Sequence, residues 1–455
     1  MIGAPPLDLV ITNATVVTMN PARDLLAGAD IWIRSGRILK VGRGLKNPGT
    51  VRRILDASGQ VVLPGLIHGH LHACQTLFRN QAEGLELLEW LRQRIWPLEA
   101  AHDERSLRVS ADLSFAELIK GGSTAALDMS VVRHADAIFE SARDCGFRLT
   151  SGKAMMDVGP QLPPALLEST ADSLAESVRL IKAWHGTSDN RLRYAMAPRF
   201  VLSCSEDLLR EVARKARELS VRIHTHASEN ASECEEVRKR TGKDNVEYLH
   251  WLGLTGSDVV LAHCVWLSPE EQRILRETGT TVCHCPSANL KLASGVARVP
   301  ELLDLGVNVC LGADGAACNN NLDMFAEMRL ASLIQKPRTG AASMPASRVL
   351  EMATLGGARA LGLQDEIGSI EPGKRADLTV VDLSQAHATP EGELLGRLVY
   401  SARSSDVAHV IIDGRMVMRD RQLLTIDEAA LVAEARAQAR KVAHRMSRAS
   451  RPRPA

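Results

Sequence analysis

Aromatic residues are scarce in this 455-residue chain: six Phe, six Trp and three Tyr make up 3% of it. So few rings supply no extended stacking platform for single-stranded nucleic acid. An excess of one charge is lacking too. The 55 Lys and Arg are matched by 54 Asp and Glu, a formal net charge of +1, which gives no general attraction to DNA or an anionic membrane. No apolar run reaches the roughly 20 residues that span a bilayer. The start, Met1-Ile2-Gly3-Ala4-Pro5-Pro6, has neither the basic stretch nor the apolar core of a secretory leader. Nine cysteines, an odd number without regular spacing, suit reduced thiols better than a disulfide framework. The expectation is a soluble cytoplasmic protein whose partner is a small molecule, not a nucleic acid or a membrane.

What is present fits a large globular chain, with 45% hydrophobic and 24% charged residues, long enough for a sizeable core plus a second module. From residue 8 to about 60, short β-branched runs alternate with turns, as in Leu9-Val10-Ile11, Ala14-Thr15-Val16-Val17 and Ile31-Trp32-Ile33, with turns at Ser35-Gly36 and Ser58-Gly59. The far end repeats the style in Leu378-Thr379-Val380-Val381 and Val410-Ile411-Ile412, the latter followed by Asp413-Gly414 as a hairpin turn. Neither piece makes a core alone. Residues 1–60 and 365–425 are therefore expected to meet in one small β-sandwich.

Residues 61–364 have a different rhythm, with β-rich runs each followed by a helical stretch. The runs are 61–68, 123–129, 147–156, 192–198, 221–228, 259–266, 280–285 and 307–312, and segments such as 205–219 and 269–278 carry helical periodicity between them. Eight such units predict an α/β fold of the (β/α)8 barrel type. An open doubly wound sheet is the alternative, but no glycine-rich phosphate loop follows any strand. The remainder, 426–455, is expected to form a surface helix over 427–446 and a tail ending Arg451-Pro452-Arg453-Pro454-Ala455.

Barrel active sites lie where strands end at the C-terminal face. The first strand ends in His68-Gly69-His70-Leu71-His72 and the fifth in His224-Thr225-His226-Ala227-Ser228-Glu229. The sixth carries Ala262-His263-Cys264, and the eighth finishes with Ala313-Asp314-Gly315. Side chains two apart on a strand share a face, so His70 and His72 can bind one ion together. His226 and Asp314 arrive from other strands and complete an N3O set, which suits a divalent ion: zinc, with Fe2+ as the alternative. His68 and His224 lie one pleat deeper, ~7 Å further along the strand, and are expected beneath the ion. Cys283-His284-Cys285-Pro286 offers a rival Cys–His set, but His284 points away from its neighbours on a strand, so strand packing is the better reading.

Pro64-Gly65-Leu66-Ile67-His68-Gly69-His70-Leu71-His72 resembles the first metal motif of the amidohydrolase superfamily. The resemblance continues through His226-Ala227-Ser228-Glu229, Ala262-His263-Cys264-Val265, Pro286 to Leu292, Gly312-Ala313-Asp314-Gly315 and the return segment Gly368 to Leu378, covering about residues 8 to 420. Within it, the chain is most similar to the branch containing adenosine-type, guanine and triazine aminohydrolases. The residues and the resemblance imply one mechanism, in which the metal lowers the pKa of a bound water towards ~7. Asp314 takes its proton, Glu229 protonates a ring nitrogen and His263 polarises the attacking oxygen. Members with two metals use a carbamylated Lys on the fourth strand. Here that strand ends in Ala197-Pro198-Arg199-Phe200, and one metal is expected.

The substrate contacts implied by the resemblance point in two directions. Glu83 resembles the position where nucleoside deaminases hold ribose hydroxyls, and a carboxylate accepts from two neighbouring hydroxyls. Gln75 and Arg199 resemble the pair that guanine deaminases use on the base. The expected substrate is a 5′-modified adenosine, of the 5′-deoxyadenosine, methylthioadenosine or adenosylhomocysteine type. Guanine, another aminopurine or a pterin comes next, and a chloro- or alkylamino-triazine third. Trp90-Leu91 and Ile95-Trp96-Pro97-Leu98 offer apolar surface either to a second copy in a homo-oligomer or to the chain's own barrel.

Overall fold

The computed structural model describes residues 5–46, 49–159 and 161–449; the tail Arg451 to Ala455 lies outside the described residues. Eight parallel strands form the barrel: β1 (Leu66–Leu71), β2 (Ser123–Met129), β3 (Arg148–Gly152), β4 (Leu192–Pro198), β5 (Arg222–Ala227), β6 (Val259–His263), β7 (Thr281–His284) and β8 (Val309–Leu311). Each pairs with the next in sequence, as right-handed β–α units require. A parallel bridge between Leu71 and Asp314 brings β8 back to β1 and closes the ring. Some of the intervening helices start where the sequence supplies a cap. Ser205 accepts from Leu208 N at the head of Glu206–Glu218, and Ser268 with Glu271 makes a capping box for Pro269–Thr278.

The chain ends build a nine-stranded, mainly antiparallel sheet. Its strands include Leu9–Val17, Leu25–Arg34 and Arg37–Arg43 from the start, and Leu378–Val381, Val407–Ile412 and Arg415–Arg419 from the end. The sheet folds over itself. Gly36 O accepts from Ala376 N and Ala376 O from Gly414 N, so the two hairpin turns meet around a core containing Ile11, Ile31, Ile33, Leu378, Val380 and Ile411.

One difference from the expected elements bears on the site. The run expected as a single barrel strand over 61–68 is two strands. Val61–Pro64 lies in the terminal sheet, paired with Leu9–Val17 and Leu378–Val381, and only Leu66–Leu71 enters the barrel. Gly65 is the joint, where the side chain of Thr124 occupies the space a Cβ would need. Residues on both sides of the joint are buried and apolar, so no change of pattern marks it.

The C-terminal helix spans Glu428–Ala449 and packs Leu431, Ala435 and Val442 into the main core. Lys120–Glu428 and Arg445–Asp103 ion pairs bind it to the helix Glu104–Lys120 and its cap. Trp90, Leu91, Ile95, Trp96 and Leu98 are buried in the chain's own core. No helix among the described residues is long and apolar enough to cross a membrane.

Candidate active site

The strand ends bring His70, His72, His226, His263 and Asp314 into one cluster at the C-terminal mouth of the barrel, all buried except the half-buried His226. Gly69 makes the first pair possible. It lies close against β8, and a side chain there would run into the sulfur of Cys310. His70 and His72 then project together, with ring centroids 4.7 Å apart. Asp314 adopts φ 60°, His263 φ 74° and Ser228 φ 52°, left-handed values that cost free energy in non-glycine residues and cluster where side chains must be aimed.

The ring nitrogens show what the cluster accommodates. His72 Nδ1 lies 2.8 Å from Met129 O, and His226 Nδ1 lies 2.7 Å from Arg199 O. A carbonyl only accepts, so both rings carry their proton on Nδ1. Their Nε2 atoms, 3.2 Å apart, therefore face each other as two lone pairs. His70 Nε2 points into the same space, 3.3 Å from Asp314 Oδ1, with no hydrogen-bond partner among the described residues. Burial lowers all three histidines, His72 to about 3, so the rings are neutral. Two facing lone pairs, a third imidazole nitrogen and a carboxylate converge on one space, and this donor set fits a divalent metal. Among the described residues, both groups capable of holding a metal contain His70, which makes them one site.

Two carboxylates border that site with opposite acidities. Burial, then the charges of Asp314 and Glu233, push Glu229 well above the usual carboxylate range, only partly offset by Arg199. Burial also opposes ionisation of Asp314, but His70, His263 and His72 overturn it and hold that carboxyl well below the usual range. The two carboxyls are thus shifted in opposite directions. His263 lies between them, its Nε2 3.5 Å from Glu229 Oε2 and 3.8 Å from Asp314 Oδ2, while its Nδ1 donates to Asn289 Oδ1 at 2.8 Å.

The cavity in front of the cluster is lined by His72, Gln75, Trp90, Arg199, Glu229 and Asp314, among others. Behind that wall, Gln75 and Arg199 meet on a buried residue that sequence reasoning missed. Glu99 receives Arg199 through both carboxylate oxygens, at 2.6 and 3.2 Å, and Gln75 Nε2 at 2.9 Å. Gln75 Oε1 remains buried without a partner among the described residues. Glu83 is placed elsewhere. Its side chain is 63% exposed and pairs with Lys291, which also holds Asn320. Lys153 is buried against Glu168 and Ser173, away from the cavity lining.

His68 and His224 lie below the cluster, as their place on the strands predicts, with His68 against Ser123 Oγ and His224 against His70. Asp128, also missed, accepts from Ala73 N and from Ser151 Oγ and so fixes the turn after His72. His284 is buried in the barrel wall, apart from the metal-facing groups.

Residues 61–417 match the amidohydrolase family. The chain is similar to a 5′-deoxyadenosine deaminase of Methanosarcina acetivorans, with 39% identity over 440 residues, covering 96% of this chain and 99% of that protein. It is also similar to a 5-methylthioadenosine/S-adenosylhomocysteine deaminase of Syntrophomonas wolfei, 38% identical, covering 95% and 99%. Among solved structures, an adenosine deaminase from Xanthomonas campestris with bound zinc superposes with a TM-score of 0.91 at 33% identity, covering 97% of this chain and all of that one.

Proposed function

The chain belongs to the amidohydrolase family, and from that premise we propose that it hydrolytically deaminates a 5′-modified adenosine of the 5′-deoxyadenosine, methylthioadenosine or adenosylhomocysteine type. It is a hydrolase of carbon–nitrogen bonds in cyclic amidines. The observation that carries the chemistry is the convergence of His70, His72, His226 and Asp314 on one space, with Glu229 and His263 at its edge. The substrate class rests on relatives named for these nucleosides, aligned over nearly the whole chain.

His70, His72, His226 and Asp314 would hold one divalent ion. Zinc is the assignment supported by the nitrogen-rich donor set and by the zinc in the similar adenosine deaminase. When bound, that ion acts as a Lewis acid that makes a water nucleophilic at neutral pH. Asp314, ionised in its histidine cage, takes the proton of the attacking water. Glu229, protonated by burial, donates to the ring nitrogen beside the amino-bearing carbon and makes that carbon electrophilic. His263, held by Asn289, faces the oxygen that becomes bonded to that carbon. Returning a proton to the amino nitrogen lets ammonia leave. Gln75 and Arg199 contact the substrate from the opposite wall. Glu83, the expected sugar-binding carboxylate, is exposed and paired with Lys291, so the geometry gives it no place in the cavity wall.

A second reading, deamination of guanine or a pterin, is favoured by one arrangement. Gln75 and Arg199, an amide and a guanidinium both held by Glu99, line the cavity side by side with His72 and Glu229. A lactam, with adjacent N–H and C=O, matches that pair.

The test is ammonia release from adenosine, 5′-deoxyadenosine, methylthioadenosine, adenosylhomocysteine, guanine and pterin, with chloride release from a chlorotriazine alongside. The highest kcat/KM is expected for a 5′-modified adenosine. Faster turnover of guanine, pterin or the triazine than of every nucleoside would replace that assignment.

A further inference from the structure

The three metal-facing histidines rest on three supports. His72 and His226 donate to backbone carbonyls, whereas His70 Nδ1 meets another imidazole, His224 Nε2, at 2.8 Å. Both rings of that pair are fully buried, with centroids 4.9 Å apart and planes at 79°. The other deep histidine is committed elsewhere. His68 Nε2 contacts Ser123 Oγ, and its Nδ1 accepts from Ala313 N at 3.2 Å.

The difference in support matters because a carbonyl dictates the tautomer of the ring it holds, and an imidazole does not. If His224 donates, His70 must carry its own proton on Nε2, inside the metal site. If His224 accepts, the proton of His70 sits on Nδ1 and its Nε2 lone pair is free. The second arrangement puts the proton of His224 on Nδ1, an atom buried with no hydrogen-bond partner among the described residues. Metal-bound histidines are generally aimed by the group on their other nitrogen.

We infer that His224 is a positioning residue for the metal. By accepting at Nε2 it orients the His70 ring and keeps the proton off the nitrogen that faces the ion. His70 is therefore the ligand whose tautomer is set by a side chain, and the one a single substitution can release. The inference rests on the metal site described above and not on the identity of the substrate, so its test reads metal retention and not turnover.

Metal-stripped protein is titrated with Zn2+ against a competing chelator. His224→Leu is expected to weaken zinc binding about 10- to 100-fold. In His224→Gln the amide oxygen takes the place of Nε2 as acceptor, and affinity should stay within about threefold of wild type. A general packing role would not be rescued in this way. Wild-type affinity in His224→Leu, or equal losses in both variants, would overturn the inference. If His224→Leu does not fold, a crystal structure of the zinc-loaded wild-type protein decides. The His70 Nδ1 to His224 Nε2 contact should remain below about 3.2 Å, and a separation beyond hydrogen-bond reach removes the role.

Discussion

Arg199, Glu99 and Gln75 settle their hydrogen bonds largely among themselves, while the histidines across the cavity from them do not. On the Glu99 side, a buried cation meets a buried carboxylate with two-point geometry, and one amide oxygen is left over. On the histidine side, neutral rings present bare nitrogens to one another at 3.2 Å. The contrast teaches how one cavity divides its work. The unsatisfied wall has a deficit only a cation fills, so it binds the reagent. The satisfied wall is neutral and preformed, and under the proposed function it would read a substrate with the few valences it has left.

If the histidine wall is the unsatisfied one, depriving it of its cation should have the largest effect. Chelation, or His226→Ala, should lower turnover by on the order of 10^3-fold or more, and zinc should restore the chelated protein but not the variant. Retained activity after complete metal removal, checked by elemental analysis, would end the distinction between the walls.

Glu229 sharpens it next. Glu229→Gln removes the proton donor and should cost about 10^2- to 10^4-fold in kcat. It should also stabilise the metal-free protein at alkaline pH. A carboxyl whose folded pKa is raised gives stability that is present below its unfolded value near ~4.3 and lost as pH rises through the folded one. Glutamine has no such loss, so at pH 8 the melting temperature should rise by about 2–4 °C per kcal/mol recovered. A fall at pH 8 would show that Glu229 is ionised in the fold.

On the satisfied wall the order reverses, and stability suffers before chemistry. Glu99→Gln leaves the buried Arg199 without its counter-charge, a change that typically costs about 3–5 kcal/mol. A lower thermal midpoint and a higher KM are expected, with kcat less affected. An unchanged midpoint would mean that Arg199 finds another partner. The smallest effect is expected from Glu83→Ala. An exposed pair such as Glu83–Lys291 contributes at most about 1 kcal/mol, and kcat/KM for nucleosides should change less than about threefold. A tenfold selective loss would return the sugar contact to Glu83.

The contrast between the walls also explains what was legible in the sequence. His70, His72, His226, His263 and Asp314 sit at or just beyond strand ends, where a period of two and a count of strands are enough to place them on one face. Glu99 comes from the irregular stretch Leu87–Ala100, whose turn Leu91–Ile95 is π-helical. The extra residue in such a turn shifts every later side chain around the axis. Ordinary helical spacing therefore gives no means of placing Glu99 against Gln75 and Arg199. Glu83, in a polar segment just before it, carries the same chemistry and none of the burial. The break at Gly65 was hidden for another reason. Two buried strands in succession look alike wherever their partners come from, and here the partner of the first is about 300 residues away along the chain.

That joint has a consequence for the order in which the molecule is made. Val61–Pro64 leads directly into the strand bearing His70, yet it pairs with Leu378–Val381. At ribosomal rates of about 5–20 residues per second, the nascent chain waits roughly 15–60 s between making the two partners. Throughout that interval the segment entering the first ligand strand has an open edge. The barrel's catalytic face is therefore secured from outside, and late: a chain stopped before residue 378 can contain every ligand residue and still lack the strand that anchors the first of them.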